Sequence, residues 1–232
     1  MNKYDFELVY WGGVEAAART FPKKFQDFIT KKVSKISGTN RQLSRIDSTI
    51  ENVCYSCGRR DESSKHITQC KDTGRKAMLK YSVDELIQWM ATTHVNIHLQ
   101  QMIYKYLMAQ SKRTMISCTH TTSPLLQTLA TVQDRLGWDN FVEGRIRKLF
   151  VEVVRVNLDS IQSRLTPEKW CMTFIRKLLH LTHKQWLFQN SHTHYKKLEG
   201  LTPAQHELIF EKVKHLMWTN PADFLDQHHH LL

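Results

Sequence analysis

Helical periodicity dominates the chain. From Pro22 onward, apolar residues recur three and four positions apart, a spacing that places them on one face of an α-helix. The first such run contains Phe25, Phe28 and Ile29 and ends before Gly38. Outside residues 54–70, alternation of apolar and polar residues is limited to a few positions, so the pattern predicts a mainly α protein. Further helices are predicted near residues 82–90, 95–110, 124–136, 146–161, 167–198 and 203–218.

Prolines mark where the predicted helices begin. Each of the five prolines precedes a run of helical spacing, and four of them follow a residue that can cap a helix N-terminus. Proline suits the first helical position because its φ is already helical and its missing N–H would have no partner there. The fifth proline is Pro22, and the four capped pairs are Ser123-Pro124, Thr166-Pro167, Thr202-Pro203 and Asn220-Pro221. These helix starts, together with the helical spacing between them, predict a helical bundle over residues 81–232.

Three cysteines and one histidine form the narrowest chemical signal in the sequence. They have the spacing Cys54-x2-Cys57-x8-His66-x3-Cys70. A Cys-x-x-Cys turn supplies two thiolates from one loop, and a second turn or helix supplies two more ligands, which is the usual arrangement of a tetrahedral structural zinc site. Gly58 follows the second thiol, where such a turn commonly needs a positive φ. We therefore predict a zinc knuckle, residues 54–70, that contains a short hairpin.

Two alternatives for the cysteines have less support. The first is that the thiols are unpaired and His66 is an ordinary histidine, since intracellular thiols often serve as small apolar groups. The second is a disulfide framework, but the five cysteines are an odd number and no basic-then-apolar leader opens the sequence. No apolar run approaches the length of a membrane span. The expected location is intracellular, in the nucleus or the cytoplasm, with no membrane partner.

Basic residues are concentrated before and within the knuckle. The formal net charge is +11, and residues 1–80 hold 16 Lys and Arg against 9 Asp and Glu. A cationic surface beside a zinc knuckle is suited to binding phosphates. A solvated helix face is the plainer interpretation of any single lysine. The candidate nucleic-acid-binding residues are Lys23, Lys24, Lys31, Lys32, Lys35, Arg41, Arg45, Arg59 and Arg60.

Two domains are predicted from these patterns. Residues 1–80 would form a basic helical segment with the zinc knuckle, and residues 81–232 an α-helical bundle. Three thiolates on a divalent ion leave one negative charge, which cations near the ligands in sequence could balance. Those cations are Arg59, Arg60, Lys65 and Lys71.

Catalytic motifs are absent from the sequence. It contains no Asp-Asp pair, no Asp/Glu-x-Lys triplet and no His-Glu-x-x-His, and it lacks phosphate-binding Gly-rich loops and Gly-x-Ser-x-Gly elbows. A protein that is not an enzyme is therefore expected. A hydrolase built from histidine pairs such as His94 and His98 is a remote alternative, because such a pair needs a third ligand to bind a metal.

The knuckle resembles the zinc-binding region that follows the polymerase domain in reverse transcriptases of non-LTR retrotransposons. The matching residues are Cys54, Cys57, Gly58, Glu62, His66 and Cys70. Residues 136–144 and the pattern Trp186-x3-Asn190-x3-His194 look like segments found downstream of that knuckle in retroelement-derived proteins. The resemblance implies zinc ligation by the three cysteines and the histidine, and a role in gripping RNA or target DNA.

The sequence also departs from the family pattern. Tyr55 stands where proline is common, and Gln189 stands where arginine is usual. The polymerase domain with its paired aspartates is missing, so polymerase activity is not implied, and the chain would be a binding appendage, a fragment or a decayed copy. We therefore predict a zinc-stabilised nucleic-acid-binding module without catalytic activity. The alternative is a zinc-stabilised helical scaffold that binds a protein partner through its helical part and does not bind nucleic acid.

Overall fold

The protein is mainly α, as the periodicity predicted. The computed structural model describes residues 2–120, 123–197 and 203–218. These residues contain twelve α-helices, one short 3-10 helix and no β-strand. At the predicted hairpin they contain a single antiparallel bridge between Val53 and Arg60, so paired strands are not confirmed there. No described helix is both long enough and apolar enough to cross a membrane.

The described chain forms two compact units, each assembled from separate stretches of sequence. Of the described residues, the bundle unit contains 2–21, 77–120 and 123–182, and the knuckle unit contains 22–76, 183–197 and 203–218. Helices α6 (Thr73–Thr92) and α11 (Pro167–Lys197) contribute residues to both units. The sequence predicted that residues 1–80 and residues 81–232 form separate domains. That division stays a prediction.

The bundle unit contains most of the helices. In addition to its parts of α6 and α11 it has α1 (Lys3–Glu7), α2 (Trp11–Arg19), α7 (Ile97–Met108), the 3-10 helix Ile116–Cys118, α8 (Pro124–Asp134), α9 (Gly137–Val142) and α10 (Leu149–Ser160). The knuckle unit has α3 (Lys23–Val33), α4 (Asn40–Leu43), α5 (Ser64–Gln69) and α12 (Pro203–Trp218).

Stacked aromatic rings form the centre of the bundle unit. The ring centroids of Trp170 and Phe174 lie 5.2 Å apart, and those of Phe174 and Phe150 lie 5.8 Å apart. Trp170 is fully buried, and its indole N–H donates to Thr93 Oγ1 at 2.9 Å. In the sequence, Trp170 stands at helical spacing among apolar residues, a pattern that is typical of a core position.

A buried ion pair fixes the N-terminal helix of the bundle unit. The guanidinium of Arg147 donates to the carboxylate of Asp5, to the carbonyl of Asp5 at 3.1 Å and to the carbonyl of Val132 at 2.8 Å. The backbone N–H of Arg147 donates to the side chain of Gln133 at 3.0 Å. One arginine thereby connects α1 with the end of α8, and its hydrogen bonds satisfy polar groups that would otherwise be costly to bury.

Each described proline lies at a predicted helix start, and Thr166 caps its helix as predicted, but the side chain of Ser123 makes no cap hydrogen bond. Pro124, Pro167 and Pro203 are the first residues of α8, α11 and α12, and Pro22 directly precedes α3. Pro221 lies outside the described residues. The helix predicted near 82–90 differs, since α6 begins at Thr73.

Candidate metal centre

A tight turn positions the first two cysteines. The N–H of Gly58 donates to the carbonyl of Cys54 at 2.8 Å, and the N–H of Cys54 donates to the carbonyl of Arg59 at 2.8 Å. Gly58 has φ +71, the left-handed conformation that glycine adopts without a steric penalty. The sequence prediction of a positive φ at this position is confirmed. The turn directs Cys54 and Cys57 from one loop.

A short helix positions the other two ligands. Ser63 caps α5 by accepting the N–H of His66 at 3.2 Å, and Cys70 is the residue at which the helix ends. Since residues four apart lie on the same side of a helix, His66 and Cys70 face in one direction. The cap and the helical spacing therefore orient the imidazole and the third thiol together.

The four predicted ligands come together in one group that could hold a metal ion. The sulfurs of Cys54 and Cys70 are 3.9 Å apart, and the sulfur of Cys57 lies 3.4 Å from His66 Nε2. All four donor atoms lie within 4.8 Å of one another. All five cysteines are free, and 3.9 Å is far beyond the disulfide bond length of about 2.05 Å. The predicted clustering is confirmed, and the disulfide alternative is wrong.

Three of the four ligands are shielded from solvent. Cys54, His66 and Cys70 are buried, and Cys57 is exposed. The donor set is closed because every corner of a four-coordinate site would be filled by a protein side chain. Sites of this kind are structural, whereas a catalytic site keeps one position for water or substrate.

Arg75 is a buried cation beside the thiol of Cys54. Its guanidinium is almost fully buried and lies 4.0 Å from the sulfur of Cys54 and 3.8 Å from the carboxylate of Glu62. It also donates to the carbonyl of Ile67 at 3.1 Å and to the hydroxyl of Ser56 at 3.2 Å. One side chain thus binds the turn, the loop and α5 of the knuckle.

Arg75 was missed in the sequence, although a signal for it was present. The cations proposed there as balancing charges are all exposed: Arg59, Arg60, Lys65 and Lys71. Asp72 accepts the backbone N–H of Arg75 at 3.0 Å and so acts as an N-cap. The Asp72-x-x-Arg75 pattern, two residues after Cys70, therefore predicts a helix start there, with the arginine in its first turn beside the ligands.

The two buried thiols of Cys54 and Cys70 influence each other. The hydrogen bond between them holds the pKa of Cys54 below the usual range of a thiol, although burial opposes this, and His66 and Arg75 assist. The same hydrogen bond raises the pKa of Cys70, and burial raises it further. The surroundings of this pair therefore favour a thiolate, the form in which cysteine binds a metal.

Glu62 connects the knuckle to the segment before it. The carboxylate is fully buried and accepts the N–H of Asn40 at 3.1 Å. Burial raises the pKa of Glu62 to about 7, and the nearby charge of Cys54 contributes, while the Asn40 hydrogen bond and Arg75 act against the rise. The side chain of Asn40 donates to the carbonyl of Val53 at 2.6 Å, so α4 is held against both the loop and the first turn.

The basic helix α3 is also anchored on the knuckle. Lys32, one of the predicted nucleic-acid-binding residues, is buried, and its Nζ donates to the carbonyl of Ser64 at 2.6 Å. Arg41 forms an ion pair with Asp61 at 3.1 Å, and Lys23 forms one with Asp27 at 3.2 Å. The Lys32 and Arg41 contacts place α3 and α4 beside residues 61–64, whereas the Lys23–Asp27 pair lies within α3.

The other predicted cations face solvent. Lys24 is exposed on the first turn of α3. Five more are exposed and form no ion pair with any described residue, namely Lys31, Lys35, Arg45, Arg59 and Arg60. Their binding to nucleic acid stays a prediction. Comparisons of the chain with protein-family models, with curated proteins and with solved structures found no match.

Proposed function

We propose that this chain is a zinc-stabilised nucleic-acid-binding module without catalytic activity. The observation that carries the proposal is the attachment of the basic segment to the closed ligand group. Lys32 bonds to Ser64 and Arg41 pairs with Asp61, while five exposed cations form no ion pair with any residue that the structure describes. A metal ion that orders the knuckle would thereby order the segment that carries those cations.

Zinc fits the donor set best. Three thiolates and one imidazole are soft or borderline ligands, which favour zinc over magnesium or calcium. With a Zn–S distance of about 2.3 Å, a regular tetrahedron has S–S edges of about 3.8 Å. The 3.9 Å between the sulfurs of Cys54 and Cys70 agrees with such an edge. Cys54, Cys57, His66 and Cys70 would hold the ion, which would supply a cross-link between the turn and α5 when bound.

The distribution of charge supports a polyanionic partner. Among the described residues of the knuckle unit, the lysine and arginine that are buried are Lys32 and Arg75, and both contact the knuckle. Arg75 lies beside Cys54 and Glu62, where it could balance the single negative charge that three thiolates would leave on a divalent ion. The exposed lysines and arginines are therefore available to phosphates. The partner class is RNA or DNA, in the nucleus or the cytoplasm.

The retroelement origin rests on the resemblance of the knuckle. Six residues carry it, namely Cys54, Cys57, Gly58, Glu62, His66 and Cys70. The buried carboxylate of Glu62, which contacts α4 and Arg75, is consistent with a structural part for this residue in the knuckle. We propose that the chain derives from the C-terminal part of a retroelement reverse transcriptase.

A titration of the zinc-loaded chain with duplex and single-stranded nucleic acid, repeated over a range of salt concentrations, tests the function. We expect the logarithm of affinity to fall by roughly 0.7 to 0.9 per logarithmic unit of salt for each phosphate contacted. Arg59→Gln combined with Arg60→Gln should weaken binding. Lys112→Gln with Arg164→Gln, which removes the same charge from exposed positions of the bundle unit, should not. Absence of binding at low salt, or equal losses in both variants, would refute the proposal.

A further inference from the structure

The C-terminal end of α3 has an unusual residue in a common motif. The N–H of Lys35 donates to the carbonyl of Lys32 at 3.1 Å, and the N–H of Ile36 donates to the carbonyl of Lys31 at 3.0 Å. Lys35 has φ +59. This left-handed helix ending is usually made by glycine, because a side chain in that conformation is sterically penalised.

The same ending occurs elsewhere in the described chain with other residues. At the end of α10, Gln162 has φ +50, and the N–H of Ser163 donates to the carbonyl of Leu158 at 2.9 Å. The motif therefore does not require a lysine, and glycine would serve the backbone of α3 better. Six described residues other than glycine have a positive φ, so this conformation alone does not mark a binding site. Lys35 differs from Gln162 in carrying a positive charge.

The motif presents a cation and an aliphatic side chain together. Lys35 is exposed and forms no ion pair with a described residue, and 54% of Ile36 is exposed. A second pair of the same kind follows α4, where Ile46 is 79% exposed beside the exposed Arg45. The backbone holds this second pair in place, because the N–H of Ile46 donates to the carbonyl of Leu43 at 2.9 Å.

Cations flank each exposed aliphatic residue of this part of the chain. Over residues 22–76 the large exposed hydrophobic residues are Val33, Ile36 and Ile46, and each lies within two positions of a cation that has no ion pair. None of them is aromatic, whereas proteins that bind single strands usually offer aromatic rings for bases to stack on. Proteins that bind the DNA minor groove combine basic residues with aliphatic wedges that enter a base step and kink the duplex.

We propose that Lys35 and Ile36 form a contact for duplex DNA in which Lys35 binds a phosphate and Ile36 wedges into the adjoining base step. This inference rests on the proposed function and narrows it to double-stranded DNA that is bent on binding. Arg45 and Ile46 supply a second contact of the same chemistry. Glycine at position 35 would give a more stable helix end but could not bind a phosphate. The lysine is therefore retained despite its left-handed conformation.

Two single substitutions separate the two parts of the contact. Lys35→Gly should raise the melting temperature by about 2–4 °C by relieving the left-handed conformation. It should also weaken DNA binding and reduce the salt dependence by about 0.9, the contribution of one phosphate. Ile36→Ser should weaken binding about three- to tenfold with the salt dependence unchanged, and should reduce the bend of a duplex labelled at both ends for energy transfer.

Gln162→Gly is the matched control, since it relieves the same conformation at an exposed site of the bundle unit. It should raise the melting temperature by a similar amount and leave DNA binding unchanged. The inference fails if Lys35→Gly and Ile36→Ser both bind and bend DNA as the parent does. The proposed function would still stand in that case, provided that Arg59→Gln with Arg60→Gln weakens binding. If the parent does not bind DNA, both fail. If Ile36→Ser binds DNA as the parent does but no longer binds vesicles that contain anionic lipid, the surface contacts membranes and the inference is overturned.

Discussion

Lys32 donates a hydrogen bond of 2.6 Å to the carbonyl oxygen of Ser64, which joins the last turn of α3 to the first turn of α5. The preceding residue, Lys31, is exposed and has no ion pair in the described chain. Two adjacent lysines in a basic run therefore have different roles. One is part of the interior of the knuckle unit, and the other belongs to its surface.

Neutralising Lys32 should lower stability, whereas neutralising Lys31 should weaken nucleic-acid binding. Lys32→Gln should lower the free energy of unfolding by about 1.5–3 kcal/mol, because a buried hydrogen bond from a charged donor is lost and the Ser64 carbonyl is left without it. Lys31→Gln should leave stability within about 0.5 kcal/mol of the parent and weaken nucleic-acid binding. Chemical denaturation and a binding titration of both variants provide the measurement. Equal stability of the two variants would contradict the buried role of Lys32.

Loss of one ligand should remove the metal. Cys57→Ser should abolish stoichiometric zinc and destabilise the knuckle unit strongly, since structural zinc in small domains contributes on the order of 10 kcal/mol of apparent folding free energy. Native mass spectrometry and thermal unfolding measure the two effects. Cys118→Ser is the control, because Cys118 is buried in the bundle unit and lies outside the ligand group. A Cys57→Ser protein with the melting curve of the parent would refute a structural metal.

Replacing Arg75 should weaken metal binding although it is not a ligand. Arg75→Met leaves Glu62 and the thiolates buried without their cation, and should cost about 3–5 kcal/mol of stability. Metal affinity should fall about 10- to 100-fold, the usual effect of losing a group that supports the ligands. Competition with a coloured chelator measures that affinity. Arg147→Met removes an equally buried arginine from the bundle unit and should destabilise the fold without changing metal affinity.

The Asp5–Arg147 pair should make stability sensitive to acid. The hydrogen bond from Arg147 holds the pKa of Asp5 below its ordinary value of about 4, although burial opposes the shift. The folded state therefore binds this proton less readily than the unfolded state. The pair stabilises the fold fully above the ordinary pKa, and this contribution is lost as the pH falls through the lower, folded-state value.

Asp5→Asn should accordingly be less stable than the parent at neutral pH. The difference between the two denaturation midpoints should shrink below about pH 4 and vanish once Asp5 is protonated in the folded parent. Glu15→Gln, at an exposed ion pair with Arg19, provides a control that should change little over the same range. A constant difference between Asp5→Asn and the parent at all pH values would show that the carboxylate charge is not what stabilises this pair.

The metal ligands and the main helices could be predicted because their signals are local. Cysteine spacing fixes which donors a turn and a helix can bring together, and proline at the first helical position marks a helix start wherever it occurs. Helices α1 and α2 were not predicted. Their residues 3–19 include two consecutive glycines, Gly12 and Gly13, which weaken the apolar pattern.

The buried cations could not be predicted from sequence in the same way. Whether Lys32 or Lys31 points inward depends on where the Ser64 carbonyl lies, and that is set by the docking of α3 on α5. In the sequence, Ser82 also looks like an N-cap, and it suggested a helix start later than the true one at Thr73. In the structure Ser82 lies inside α6, and its hydroxyl donates to the carbonyl of Met78 at 3.0 Å. A serine or threonine inside a helix often bonds back in this way, so such a residue alone does not define a helix end.

Cys57 is the exposed member of a ligand group whose other three members are buried. An ion held by these four residues would be nearest to solvent at the Cys57 corner. Exchange of such an ion with the surrounding medium would therefore depend more on Cys57 than on the three buried ligands.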